Sequence, residues 1–113
     1  MDEADLIRLH HRLDAAREVR AFSAGRSEAD LTSDRQFLMA SLKCLEIIGE
    51  AAANVSRATQ DALPRVPWSQ ITGMRHRLVH AYYDVNTKVV WHTITRDVPP
   101  LLSLLTEIVE EHR

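Results

Sequence analysis

Cysteine is almost absent from this chain. Cys44 stands alone in 113 residues, which excludes an internal disulfide and a cluster of thiolate metal ligands. It sits in an apolar run, where a small buried hydrophobe is the expected role. Glycine and proline are also scarce, at three and four residues, so little punctuates the chain and long helices are favoured over a strand-rich fold. Aromatic residues make up only 5 %. The core must therefore come from Leu, Ile, Val and Ala, which suits helix packed on helix. No stretch approaches the ~20 apolar residues of a membrane span. The opening Met1-Asp2-Glu3 is neither basic nor apolar, unlike a secretory leader, so a cytoplasmic protein with no membrane partner is expected. The length suits one small domain, residues 1–113, with a single core.

An excess of positive charge is missing too, since the net charge is −2. Its distribution is uneven. Residues 65–88 hold four basic side chains (Arg65, Arg75, Arg77 and Lys88) against one acid, Asp84, and His76 and His80 can add to them. An acidic body with one basic segment can hold a phosphate at a chosen place without gripping nucleic acid everywhere.

Apolar spacing supplies the outline. Leu6, Leu9, Leu13 and Ala16 recur at three and four residues and predict a first helix over 2–23, with Arg8, Arg12 and Glu18 on other faces and Gly25 as its stop. His10 and His11 point apart on such a helix and are read as surface residues. Residues 25–33 read as a polar connection, with Thr32 or Ser33 capping a second helix over 34–59. Its apolar positions cover two adjoining faces, Phe37, Ala40, Cys44, Ile47 and Ala51 beside Leu38, Leu42, Leu45, Ile48 and Ala52. So wide an arc suits a helix central to a bundle or packed on a second copy. Gly49 within it implies close approach of another helix. Pro64 and Pro67 end this helix, and Trp68 is expected as an anchor over the core. A short third helix over 73–83 should carry the basic segment. Asn86 or Thr87 then caps a fourth, kinked or broken at Pro99-Pro100. The expectation is an all-α bundle of four to five helices.

The basic segment also holds residues with acid–base and phosphate-binding chemistry, the kind that cleavage of an RNA phosphodiester would use. Metal-free cleavage needs the 2′-OH deprotonated, the phosphorane charge stabilised and the leaving 5′-oxygen protonated. Histidine, with an unperturbed pKa near ~6.5, can serve as base or acid close to neutrality. Arginine offers a planar fork of donors to two phosphate oxygens. Arg75 and His80 are five residues apart, roughly 140° around a helix, so they converge only at an irregular helix start or across a shared cleft. His76 and His80 do share a face, as in two-histidine zinc sites, but no third ligand stands at a matching spacing, so no metal or other cofactor is expected. Glu46 and Glu50 either line the site and pair with Arg75 or Arg77, or are solvated charges of a helix face.

The stretch from Met74 to Val85, with Arg75, His80 and Tyr82 as an Arg-x4-His-x-Tyr motif, closely resembles the signature of HEPN-domain toxins of the HepT type. Residues 45–52, Pro67-Trp68, and Val90-Trp91 leading to Pro99-Pro100-Leu101-Leu102 resemble them as well, so the likeness runs along the whole chain. It implies a HEPN-type bundle and a metal-independent endoribonuclease acting on RNA as a homodimer. It also implies a type VII toxin–antitoxin system, in which a cognate minimal nucleotidyltransferase antitoxin of the MntA type silences the toxin by transferring AMP to the motif tyrosine. By match of positions, Arg75 and His80 are the catalytic pair, His76 and Arg77 support them, and Tyr82 is the AMP acceptor. One departure is His76, where close relatives carry Asn, and it bears on rate and pH dependence. Two other readings are a non-catalytic nucleotide- or substrate-binding partner of a nucleotidyltransferase and a purely structural helical dimer.

Overall fold

The computed structural model describes residues 1–72 and 85–112, and among these there is no strand. The first helix, α1 (Glu3–Ser23), starts where Asp2 accepts a hydrogen bond from the Ala4 N–H at 2.9 Å. It stops at Gly25, whose φ of 72° is the left-handed conformation that ends helices with little strain in glycine. Leu9, Leu13, Ala16 and Val19 are buried on its inner face, while Leu6 is only half-buried. His10 and His11 are exposed, in line with the surface reading.

The polar connection expected at 25–33 contains a helix, α2 (Glu28–Ser33). Its acid Asp30 accepts from the Ser27 N–H at 2.7 Å, and Leu31 is completely buried, so one apolar side chain anchors an otherwise polar turn. The cap of the next helix, α3 (Arg35–Asn54), is Asp34 rather than Thr32 or Ser33. Asp34 is tied on two sides: its carboxylate accepts from the Phe37 N–H at 3.2 Å and from Arg26 at 2.6 Å. Arg26 itself lies over the Phe37 ring.

The long second helix expected over 34–59 breaks in two, with α4 (Arg57–Ala62) following α3 after a break at Val55–Ser56. The cause is a buried side chain on α1. In an uninterrupted helix the Ser56 N–H would donate to the Ala52 carbonyl; it donates instead to Asp5, at 3.1 Å. The same carboxylate accepts from the Ser56 hydroxyl, from Thr59 at 2.6 Å and from Arg8 at 3.2 Å. Ser56 then caps α4 by accepting from the Thr59 N–H. The inner face of α3 lies between the two predicted faces, with Phe37, Cys44, Leu45, Ile48 and Ala52 buried and Leu38, Leu42 and Ile47 half-buried. Cys44 is buried as expected, and desolvation pushes its thiol up to about 11.

Past Pro67 the chain is helical from 68 to 72, labelled α5 here for its described part. The helix predicted over 73–83 lies outside the described residues. On the far side Asn86 caps α6 (Thr87–His92), accepting from the N–H groups of Lys88 and Val89 at 3.0 and 3.2 Å. The last helix, α7 (Val98–Glu111), holds both prolines in its first turn.

The irregularity expected at Pro99-Pro100 is present, and it takes the form of a π-helical turn, Thr93–Asp97, just ahead of them. Neither proline can donate to the carbonyl four residues back. The chain widens instead, so that the Val98 N–H reaches the Thr93 carbonyl. The Ile94 carbonyl, which Val98 would have taken in an α-helix, receives Arg20 of α1 at 3.4 Å. Thr93 and Thr95 also return their hydroxyls to the carbonyls of Val89 and Trp91.

These elements form a bundle around α1, which packs on α3, α7 and the π-turn, while α2 packs on α3 and α6. Val90, Ile94, Val98, Leu105 and Ile108 meet Leu9, Ala16, Val19, Leu45 and Ile48 in its core.

Asp5 gives this arrangement a measurable pH dependence. Its hydrogen bonds from Ser56 and Thr59 hold the carboxyl down to about 2, below its ordinary 3.8. A depressed folded-state value contributes stability above the unfolded value that fades as pH falls toward the folded one. Asp5→Asn is expected to destabilise by about 1–3 kcal/mol at neutral pH, because it removes a charged acceptor from several donors. That deficit should shrink between about pH 5 and pH 2 in urea titrations of both proteins. A deficit that stays constant across the window would contradict the assignment.

Candidate active site and its frame

The residues to which the sequence assigns chemistry, Arg75, His76, Arg77, His80 and Tyr82, all lie outside the described residues. What the structure establishes is the frame on either side of them. On the entering side, Leu63 and Val66 are buried, and the Ile71 N–H closes a first α-helical turn on the Pro67 carbonyl at 3.1 Å. Pro67 suits this place because its fixed φ and missing N–H cost nothing at a helix start. Trp68 is half-buried against the core, the anchoring expected of it. Its indole N–H donates to the Leu63 carbonyl at 3.0 Å. On the leaving side, Val85 packs on the core and Asn86 fixes the start of α6.

The frame includes a charge that the helix-1 pattern misassigns. Arg12 was expected on an outer face, yet its exposure is 0 %. The signal for this lies in the spacing: Asp5, Leu9, Arg12, Ala16 and Val19 recur at intervals of three and four, so Arg12 belongs to the stripe that α1 turns inward. Its guanidinium carbon sits 5.1 Å from the centroid of the Trp68 ring. Burial lowers its pKa to about 10, and it remains a cation at neutral pH.

Beside α5 a cleft of about 560 Å³ is lined by Arg65, Gln70, Ile71, Arg96, Asp97 and Leu101. The π-turn contributes Arg96 to it, and Arg65 there is engaged by Glu107 and Glu111 at 3.8 and 3.4 Å. A separate open groove of about 740 Å³ between α1 and α3 is lined by Ile7, His11, Glu18, Ile47 and Glu50 among others. Glu46 and Glu50 are half-buried on α3, and each has an interaction partner. No group of three His, Cys, Asp or Glu side chains among the described residues is placed to hold a metal ion. No helix of the described residues is long and apolar enough to cross a membrane.

The chain matches the family model "Ribonuclease HepT-like" over residues 12–108, a span that contains Arg12, Trp68, the whole 73–84 segment and the π-turn. It is 36 % identical over 89 residues to a protein named "Putative RNase" from Caldanaerobacter subterraneus subsp. tengcongensis, covering 79 % of this chain and 80 % of that one. It is 38 % identical over 72 residues to "Probable ribonuclease HepT" of Thermococcus cleftensis, covering 64 % and 66 % of the two chains. A further "Putative RNase" from Methanocaldococcus jannaschii is 28 % identical over 93 residues, or 82 % and 85 % of the two. No solved structure matches significantly. An all-helical bundle whose capped and anchored elements flank an Arg-x4-His-x-Tyr segment, matched by the family model over most of its length, places this chain in the HepT-like ribonuclease family.

Proposed function

We propose that this ribonuclease cuts RNA without a metal, through Arg75 and His80, as the toxin of a toxin–antitoxin pair whose nucleotidyltransferase silences it at Tyr82. The observation that carries the reading is the family match across 12–108 together with the motif inside it. Support also comes from the charge pattern, since the basic segment stands in an otherwise acidic chain.

In this mechanism a neutral imidazole of His80 takes the proton of the 2′-OH, and the oxygen attacks the adjacent phosphorus. The O2′–P bond forms while the P–O5′ bond breaks, and the proton is delivered to the departing 5′-oxygen. The products are a 2′,3′-cyclic phosphate and a 5′-hydroxyl, with no net change in the enzyme. Arg75 holds two non-bridging oxygens and neutralises charge as the phosphorane forms. His76 and Arg77 add positive charge beside the pair in the sequence. A homodimer lets two such segments face one cleft, which meets the geometric demand that a single helix stripe cannot satisfy for Arg75 and His80.

Silencing follows from the chemistry of a phenol. The Tyr82 oxygen, deprotonated by a base of the partner enzyme, attacks the α-phosphate of ATP and pyrophosphate leaves. The added AMP puts negative charge and bulk two residues from His80, opposing entry of an RNA phosphate.

Two outcomes are expected. His80→Ala and Arg75→Ala should each lower the rate of RNA cleavage by about 10²-fold or more in a purified assay, and each should relieve growth arrest on expression. RNA left intact by the wild type, or cut equally by the variants, contradicts the reading; binding without cleavage would favour the non-catalytic partner instead. Incubation with the cognate nucleotidyltransferase and ATP should add AMP masses to the wild type and none to Tyr82→Phe. Label on Tyr83, or undiminished addition to Tyr82→Phe, refutes the acceptor assignment.

A further inference from the structure

Arg12 is among the largest fully buried side chains of the molecule, and its surroundings are unusual for an arginine. None of its three side-chain nitrogens has a hydrogen-bond acceptor among the described residues. Buried charges are normally paired, because desolvation without compensation is costly. What Arg12 has instead is the face of Trp68, at 5.1 Å. A cation held away from water over an indole is attracted more strongly than one at the surface, and the attraction depends on orientation. The Trp68 ring is therefore held from two directions, on its face by Arg12 and at its N–H by the Leu63 carbonyl.

Stability alone does not account for this choice of residue. A methionine would reach the same space, pack among Leu9, Ala16 and their neighbours, and carry no desolvation penalty. Arginine adds a directional hold on one ring at the first turn of α5. That ring stands seven residues before Arg75. The chain enters its motif from this turn, and a catalytic group misplaced by ~1 Å can lose ~100-fold in rate.

We propose that Arg12 is a positioning residue for RNA cleavage: laid over Trp68, it fixes the first turn of α5, seven residues ahead of Arg75 and twelve ahead of His80 in the sequence. The proposal rests on the ribonuclease reading given above and adds to it a part of the machinery on α1, far from the motif in sequence.

The experiment compares wild type with Arg12→Met, Trp68→Leu and the double variant, with His80→Ala as control. It measures kcat and KM on an RNA oligonucleotide, Tm, and amide hydrogen exchange over residues 69–72. For Arg12→Met the expected result is an unchanged or higher Tm, a kcat about tenfold lower, an unchanged KM, and faster exchange confined to 69–72. The double variant should be no slower than the worse single one, because both substitutions release the same contact. A kcat within about twofold of wild type with unaltered exchange overturns the proposal. So does a loss of kcat that tracks a loss of Tm, as for any core residue, or losses that multiply in the double variant. Failure of the underlying ribonuclease reading looks different, as an inactive wild type or an undiminished His80→Ala. In that case the exchange at 69–72 still decides whether Arg12 holds this turn.

Discussion

Asp5 takes from Ser56 the backbone N–H that would otherwise have continued α3, and the path of the chain toward its motif follows from that diversion. Without it the apolar pattern of residues 34–59 favours one long helix. With it the chain turns at Val55–Ser56, forms α4, and delivers Leu63, Val66 and Trp68 against the core. The carboxylate can do this because its burial is fully compensated, with donors from Ser56, Thr59 and Arg8 around it. Two turns along the same face of α1, Arg12 meets Trp68. One helix thus sets both the bend that begins the connection and the anchor that ends it.

The two buried charges of α1 illustrate opposite solutions to one problem. Asp5 is held by hydrogen bonds, and its charged form is favoured. Arg12 is held by an aromatic face, and its charged form is disfavoured yet retained. A similar economy operates at the other end of the motif's frame. The prolines of α7 remove two donors, the π-turn absorbs the mismatch, and Arg20 of α1 takes the carbonyl left over. In each case a local irregularity is answered by a polar side chain of α1, which lends a small bundle specific polar ties beyond its apolar packing.

Much of this was readable from residue order alone. The helical class, the stop at Gly25, the Asn86 cap, the buried Cys44, the anchoring Trp68 and the disturbance around Pro99-Pro100 all follow from local rules whose causes are short-ranged. What escaped has long-range causes. The break at Ser56 depends on a carboxylate 51 residues away, and no periodicity within 34–59 announces it. The burial of Arg12 is masked by its charge, although its spacing places it on the stripe of Leu9 and Ala16. Residues 25–33 look like a connection in the sequence because a single buried Leu31 gives no periodicity. The motif is legible by its residue types and by family resemblance, because Arg75, His80 and Tyr82 carry their chemistry in the side chains themselves.

That chemistry makes a demand on the products of the reaction. If Arg75 and His80 perform an internal transfer from the 2′-oxygen, cleavage needs no metal and leaves a characteristic pair of ends. The most direct measurement is end-group analysis of a defined RNA cut by the purified protein in excess chelator. The account predicts undiminished cleavage, with 2′,3′-cyclic phosphate on one fragment and a 5′-hydroxyl on the other. Cleavage abolished by the chelator, or fragments ending in a 3′-hydroxyl and a 5′-phosphate, would contradict it.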